Sequence, residues 1–251
     1  MRTTTLSALA AAAAVSSSAL AGLVSGVNVG PAGGTDLLSP YDFSSSVFGN
    51  AATGNFTTTA LGSVHSVLNT AGVVTANWIT VIAGHVDTNN DQVADETALF
   101  WLVDNQIAAG GASPDSTIDF QSGINKSSGT AAWINDVGDA ITVDNDATIF
   151  DKVAEGTFGW DNNGFGDAFA WSGLGVGDTG NFRFNNVNWT GFQGIQFVTY
   201  NAGSNSWTVL DQFTGSGATQ QFSFTVIPVP PAALLGLAGI AGVGVLRRRM
   251  A

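Results

Sequence analysis

One short acidic stretch, DTNNDQVADE at positions 87–96, carries the residue types and the spacing best suited to chemistry. Its oxygen donors fall on alternate residues, the spacing by which a tight loop turns several oxygen atoms toward one hard cation. Five residues are the candidate ligands: Asp87, Asn89, Asp91, Val93 through its main-chain carbonyl, and Asp95. Because Ca²⁺ prefers such oxygen-only donor sets, the stretch predicts a calcium site.

The stretch is similar to the short Asp-rich loops of thrombospondin type 3 and dockerin-like calcium modules. It departs from an EF-hand, because Gln92 stands where that loop needs glycine and Ala98 stands where its bidentate glutamate would bind. A polar hairpin turn, in which the Asp and Asn side chains bond only the local backbone, is the alternative interpretation.

Tryptophan side chains are the second chemical candidate, since an exposed aromatic face can stack on a sugar ring. Of the seven tryptophans, three lie in Gly- and Asn-rich surroundings and are the candidate ligand contacts: Trp160, Trp171 and Trp189. Three others lie in apolar runs and are expected to be buried: Trp78, Trp101 and Trp207. The sequence therefore favours carbohydrate binding as an alternative function.

Catalytic motifs are absent from the sequence, which has no G-x-S-x-G elbow, no H-E-x-x-H zinc motif and no P-loop. His65 and His85 stand in alternating apolar surroundings, which favours a structural role for both. The 19 acidic residues leave a glycan hydrolase open, because that chemistry needs only two carboxyl groups at a suitable separation. The prediction is a non-enzymatic protein.

The charge distribution limits the possible partners. Between residues 22 and 226 the chain has 19 acidic residues against three basic ones, Lys126, Lys152 and Arg183, for a net charge of −16. A surface of this sign repels nucleic acid and attracts cations. The chain has no cysteine, which excludes disulfides, thiolate metal sites and cysteine nucleophiles.

The elements that must position these residues are predicted to be β-strands. Strand-like runs separated by Gly, Asn and Asp occur at residues 77–86, 97–103, 140–143, 148–150, 180–184, 194–200, 206–210 and 220–226. In the last of these, Phe222, Phe224 and Val226 alternate with polar residues, as in a strand that covers a core on one face. We expect one all-β domain over residues 22–226, an antiparallel β-sandwich or jelly roll, with residues 22–39 as an irregular lead-in.

The N-terminal residues have the features of a secretory signal peptide. Arg2 precedes an apolar stretch at residues 6–15, and small residues follow. Ala19 and Ala21 satisfy the A-x-A rule, so signal peptidase is expected to cut before Gly22 and remove residues 1–21.

The C-terminal residues 227–251 have three parts. A proline motif comprises Pro228, Val229, Pro230, Pro231 and Ala232, and a terminal basic cluster comprises Arg247, Arg248 and Arg249. Between them, the apolar run 232–246 would form a helix of about 22 Å, short for a hydrocarbon core of about 30 Å. We expect a short transmembrane helix with its arginines on the cytoplasmic side.

These three parts together resemble the PEP-CTERM sorting tail of Gram-negative bacteria, with Val229 in place of the usual glutamate, as in Val-Pro-Leu-Pro-Ala variants. The resemblance implies processing by exosortase, a membrane transpeptidase. It also implies export through an inner-membrane-anchored intermediate to the cell surface, outer membrane or extracellular matrix. Such cargo is commonly associated with exopolysaccharide, biofilm or envelope assembly. The sequence thus predicts an exported, non-enzymatic surface or matrix protein, with a calcium-dependent carbohydrate-binding module as the alternative.

Overall fold

The computed structural model describes the strand-forming segments of the chain. These are residues 25–31, 35–47, 64, 67–68, 71–73, 78–87, 93–94, 96–103, 116–134, 141–144, 150–160, 167–185, 193–215 and 219–228. Residues 1–21, predicted to be a signal peptide, and the predicted sorting tail after Pro228 lie outside them. Within these segments, no helix has the length and apolarity needed to cross a membrane.

Fourteen strands follow one another in the described segments. They are β1 Ser25–Gly30, β2 Asp36–Leu38, β3 Tyr41–Val47, β4 Trp78–Asp87, β5 Glu96–Val103, β6 Ser116–Ile124, β7 Thr130–Ile134, β8 Ile141–Asp144, β9 Lys152–Trp160, β10 Asp167–Leu174, β11 Thr179–Asn185, β12 Gly194–Asn201, β13 Ser206–Thr214 and β14 Gln220–Pro228.

The strands form two sheets. The first sheet has the order β2-β1-β14-β11-β6-β9-β8. The second has the order β13-β12-β4-β5-β10-β7, with β3 paired along β4. The predicted all-β class is confirmed, and the two mainly antiparallel sheets agree with the predicted β-sandwich.

Aromatic and branched side chains from both sheets fill the space between them. From the first sheet, Phe182 and Phe224 are buried, and from the second sheet Trp101 and Phe197 are buried. The Trp101 ring lies 5.0 Å from the Phe182 ring, measured between centroids. The alternation seen in residues 220–226 holds in the structure, because Phe222, Phe224 and Val226 face this core while the residues between them point outward. Burial of these large rings dominates the packing energy.

The second sheet also buries its outer face. Phe43, Val64 and Leu68 pack over Ile82 and Phe100, forming a second apolar cluster that we call the outer layer. This accounts for the near-continuous apolar run of β4, in which all residues but one are buried. A strand covered on both faces needs no alternation of apolar and polar residues.

The chain passes from the first sheet to the second between β2 and β3. Ser39, in this link, donates its main-chain N–H to Thr199 Oγ1 of β12 at 2.8 Å. β12 and β3 then share one edge of β4, both running parallel to it: β12 pairs with Trp78–Val81, and β3 pairs with residues from Gly84 to Asp87. These two parallel ladders are the exceptions to the expected antiparallel pairing, and they bring Tyr41 beside the end of β12.

The expectation that residues 22–39 are irregular is wrong. β1 pairs with β14 and β2 pairs with β1, with Val27 opposite Val226 and Val29 opposite Phe224. Both valines are fully buried. Glycines around a short Val-Asn-Val alternation concealed the strand, and its position in the sheet depends on a partner almost 200 residues further along the chain.

Candidate functional site

The predicted calcium ligands fall at the β4–β5 connection, and the structure describes two of them. Asp87 is the last residue of β4 and is 1% exposed, whereas Val93 is 61% exposed. Asn89, Asp91 and Asp95 lie outside the described residues. Among the residues that are described, no three acidic or histidine side chains come together as a metal-binding group.

Glu96, the first residue of β5, is a buried carboxylate beside this connection. Its Oε2 atom is buried and has no hydrogen-bond partner among the described residues. Its carboxylate lies close to Gly173, where the backbone of β10 is in the left-handed region with φ +72°. Because Glu96 is opposite Val86 in the β4–β5 ladder, its side chain lies on the sheet face opposite to that of Asp87. Sequence reasoning omitted Glu96 because the loop spacing assigns it no position.

Trp171 is not an exposed ligand contact, so this part of the sequence prediction is wrong. Its side chain is fully buried in the core, and its Nε1–H donates to Ser122 Oγ at 2.9 Å. The glycines around it suggested a surface loop, but Trp171 lies in β10 between β5 and β7. Trp160 ends β9, although its side chain is outside the described set, as is all of Trp189.

The predicted burial of Trp78 and Trp101 is confirmed, whereas Trp207 is only half-buried. Its indole belongs to a group of three aromatic rings, Tyr41, Tyr200 and Trp207, which we call the aromatic platform. The Tyr41 ring lies 5.2 Å from the Trp207 ring and 4.7 Å from the Tyr200 ring, measured between centroids. All three residues are partly exposed at the surface.

Two long-range pairings build the aromatic platform. Tyr200 and Trp207 are directly opposite each other in the β12–β13 hairpin. Tyr41 reaches them because β3 pairs with β4 at Gly84, and its ring also contacts Phe43 of the outer layer at 4.7 Å. The outer layer therefore supports the platform from below and holds its rings in place.

A polar turn adjoins the aromatic platform. The Tyr200 hydroxyl donates to Asn205 Oδ1 at 2.6 Å, and Asn201 Oδ1 accepts the main-chain N–H groups of Gly203 and Ser204 at 3.0 and 3.3 Å. Asn205 has φ 50°, a left-handed conformation that Asn tolerates better than most residues. Both Asn side chains use their oxygen atoms in these bonds, and their NH₂ groups form no hydrogen bond with another described residue.

The platform is electrically neutral at physiological pH, with acidic neighbours. Burial raises the pKa of the Tyr41 phenol, and the nearby Tyr200 and Asp42 raise it further. The hydroxyl therefore stays protonated and can donate a hydrogen bond. The two lysines of the body are engaged elsewhere: Lys126 pairs with Asp178 at 2.8 Å, and Lys152 donates to the Gly129 carbonyl at 2.6 Å.

Sequence reasoning missed both tyrosines of the platform. A usable signal was present, because the chain has only two tyrosines and each stands beside a turn, after Pro40 and before Asn201. Nothing in the sequence indicates, however, that the two rings meet.

Comparison with protein-family models, with curated proteins and with solved structures gives no match for this chain.

Proposed function

We propose that this chain is an exported, non-enzymatic surface or matrix protein whose β-sandwich binds polysaccharide at the aromatic platform. The observation that carries the proposal is the packing of Tyr41, Tyr200 and Trp207 beside a turn rich in Asn and Ser. Aromatic faces bind the C–H face of a sugar ring, and neighbouring amide and hydroxyl groups bind its hydroxyls.

The negative charge of the body favours a neutral polysaccharide over an anionic one as the ligand. The body has a net charge of −16, and Asp42 lies close enough to Tyr41 to raise the pKa of its phenol. A uronic-acid polymer would be repelled by this surface. A neutral glycan meets no such barrier.

Calcium is proposed as a structural support for the site. β3 begins at Tyr41 in the platform and extends to Val47, which is opposite Asp87 at the start of the acidic loop. An ion held by the loop would therefore fix the end of the strand that carries Tyr41. The ligands would be Asp87, Asn89, Asp91, Val93 and Asp95.

Export is proposed from the two ends of the chain. Signal peptidase would remove residues 1–21, and an exosortase-type transpeptidase would process the tail near Pro228–Ala232. β14 ends at Pro228, so the proposed processing region begins where the last strand of the sandwich ends. Mass spectrometry of the mature C-terminus tests this proposal, and an intact Arg247–Arg249 end would exclude processing.

Retention on insoluble neutral polysaccharides tests the binding proposal. We expect Trp207→Ala to weaken retention about tenfold. The variant loses one aromatic stacking contact, which is worth roughly 1–3 kcal/mol when the stacked group is a nucleic-acid base. Trp207→Phe should keep most of the retention, because an aromatic face remains. Thr208→Ala, the next residue of β13 with its side chain on the opposite face, is the matched control. Equal retention of wild type and Trp207→Ala on every glycan that binds would overturn the proposal.

A further inference from the structure

In the described residues, the outer face of the first sheet carries a line of polar side chains, with Phe150 packed beside it over Gly123, in contrast to the apolar outer face of the second sheet. Five side chains form one continuous register row across five strands, which we call the polar row: Gln221 of β14, Arg183 of β11, Gln121 of β6, Glu155 of β9 and Thr142 of β8. Their sequence neighbours Phe222, Phe182 and Phe120 are buried, so the row points away from the core.

A shallow groove of about 330 Å³ lies over the part of the polar row that β11, β6, β9 and β8 form. Six polar side chains line it: Asp119, Gln121, Thr142, Glu155, Arg183 and Asn185. Gln121 Nε2 donates to Glu155 Oε2 at 3.1 Å, and Thr142 Oγ1 donates to the Glu155 carbonyl at 3.3 Å. These bonds hold Glu155 and Gln121 in place, and neither Glu155 Oε1 nor Gln121 Oε1 takes part in them.

Arg183 is exposed and, among the described residues, has neither an ion pair nor a hydrogen bond to another side chain. Two carboxylates and one guanidinium give the groove a net charge of −1, which disfavours an anionic ligand. Along the row a pure donor, Arg183, is followed by an amide, a carboxylate acceptor and a hydroxyl. The row therefore offers both hydrogen-bond donors and acceptors. Such a mixture complements vicinal sugar hydroxyls, because each hydroxyl both donates and accepts a hydrogen bond.

We infer that the polar row is a second polysaccharide site, which binds a neutral glycan chain laid across the strands. Four interstrand steps of about 4.8 Å give the row a length of roughly 19 Å, enough for several sugar residues. The aromatic platform lies on the opposite side of the sandwich, since it packs on the outer layer of the second sheet. One protein molecule would then hold two polysaccharide chains, so the protein would cross-link matrix polysaccharide. This inference rests on the proposed glycan-binding function.

Affinity electrophoresis of the full-length chain, in gels containing xyloglucan, galactomannan or dextran, tests the inference, with polygalacturonate as the anionic control. The row variant Gln121→Ala/Arg183→Ala is compared with the platform variant Trp207→Ala. Asn28→Ala/Thr225→Ala changes a pair on the same sheet face outside the groove and is the matched control. Thermal melts of all variants confirm that each one folds. Low-shear viscosity of the polysaccharide solution measures cross-linking.

The expected result is that a glycan retards wild type and the control equally. Each single-site variant should show an apparent Kd at least about tenfold higher, because it loses the avidity of binding the polysaccharide network through two sites at once. Wild type raises viscosity, and neither single-site variant does. If the row variant behaves as wild type in both measurements, the second site is overturned. In that case the proposed binding at the aromatic platform stands if Trp207→Ala fails to bind. If only the row variant loses binding, the polar row is supported as a glycan site and binding at the aromatic platform is overturned. Wild type that binds none of the glycans overturns both.

Discussion

The indole of Trp207 lies almost parallel to the phenol ring of Tyr41, with centroids 5.2 Å apart and 29° between the ring planes. The two residues come from opposite ends of the described chain and meet only because β3 and β12 share one edge of β4. The platform is therefore a product of tertiary structure, and Tyr41 is the residue that links it to the outer layer.

Tyr41→Ala should weaken retention on neutral polysaccharide about tenfold, because a stacked ring is worth roughly 1–3 kcal/mol to a bound base or sugar face. Tyr41→Phe keeps the ring and should stay within about fivefold of wild type, since a surface hydroxyl bond contributes about 1 kcal/mol or less. Binding isotherms on a glycan that retains wild type measure both variants. Equal losses in the two variants would show that the hydroxyl, and not stacking, provides the binding.

The carboxylates of Asp36 and Asp211 repel each other where β2 and β13 come close at one side of the sandwich. Burial raises the pKa of Asp36, and the charge of Asp211 raises it further. The folded state thus holds the proton more tightly, so stability falls as pH rises from the ordinary Asp value through the raised pKa. It does not fall further at higher pH.

Asp36→Asn should therefore raise the Tm at pH 7 and low salt. The gain in unfolding free energy should be about 0.5 kcal/mol or less, since both carboxylates are largely solvated. The gain should shrink in high salt and vanish at a pH below the ordinary Asp value. Asp178→Asn is the matched control of opposite sign, because Asp178 bonds Lys126 and the Gly175 N–H. A lower Tm for Asp36→Asn at pH 7 would contradict the proposed repulsion.

Ser122 links the two sheets through the buried indole of Trp171. Its Oγ accepts the Trp171 N–H at 2.9 Å and donates to the Asn181 carbonyl at 2.8 Å. Ser122→Ala should cost about 1–3 kcal/mol of unfolding free energy, because it leaves a buried donor unsatisfied. Trp171→Phe removes that donor, so the double variant should cost less than the sum of the single changes. Denaturant unfolding measures this cycle, and strictly additive costs would show that the bond contributes nothing.

The strands that could be predicted are those whose own pattern identifies them. The alternation around Phe224 and the apolar run around Val81 both indicate strands without reference to any partner. Val27 and Trp171 were misassigned, because glycines nearby suggested loops and only the neighbouring strands bury these residues. The platform could not be predicted either, since the contact of Tyr41 with Trp207 depends on parallel ladders that leave no local mark in the sequence.

Calcium should stabilise the protein if the acidic loop binds it. For an extracellular site with a Kd of about 10⁻⁴–10⁻³ M, 10 mM Ca²⁺ adds about 1.4–2.7 kcal/mol of unfolding free energy by mass action. For a domain of this size that corresponds to a Tm increase of roughly 3–10 °C, reversed by EDTA.

Asp91→Ala should abolish the increase and leave the Tm in EDTA almost unchanged. Asp144→Ala, at an exposed acidic position in β8, should keep the increase. Because Mg²⁺ resists the seven or so oxygen ligands that such loops provide, the same concentration of Mg²⁺ should give a much smaller shift. If wild type and Asp91→Ala respond equally to Ca²⁺, the acidic loop does not bind the ion and serves only as a polar turn.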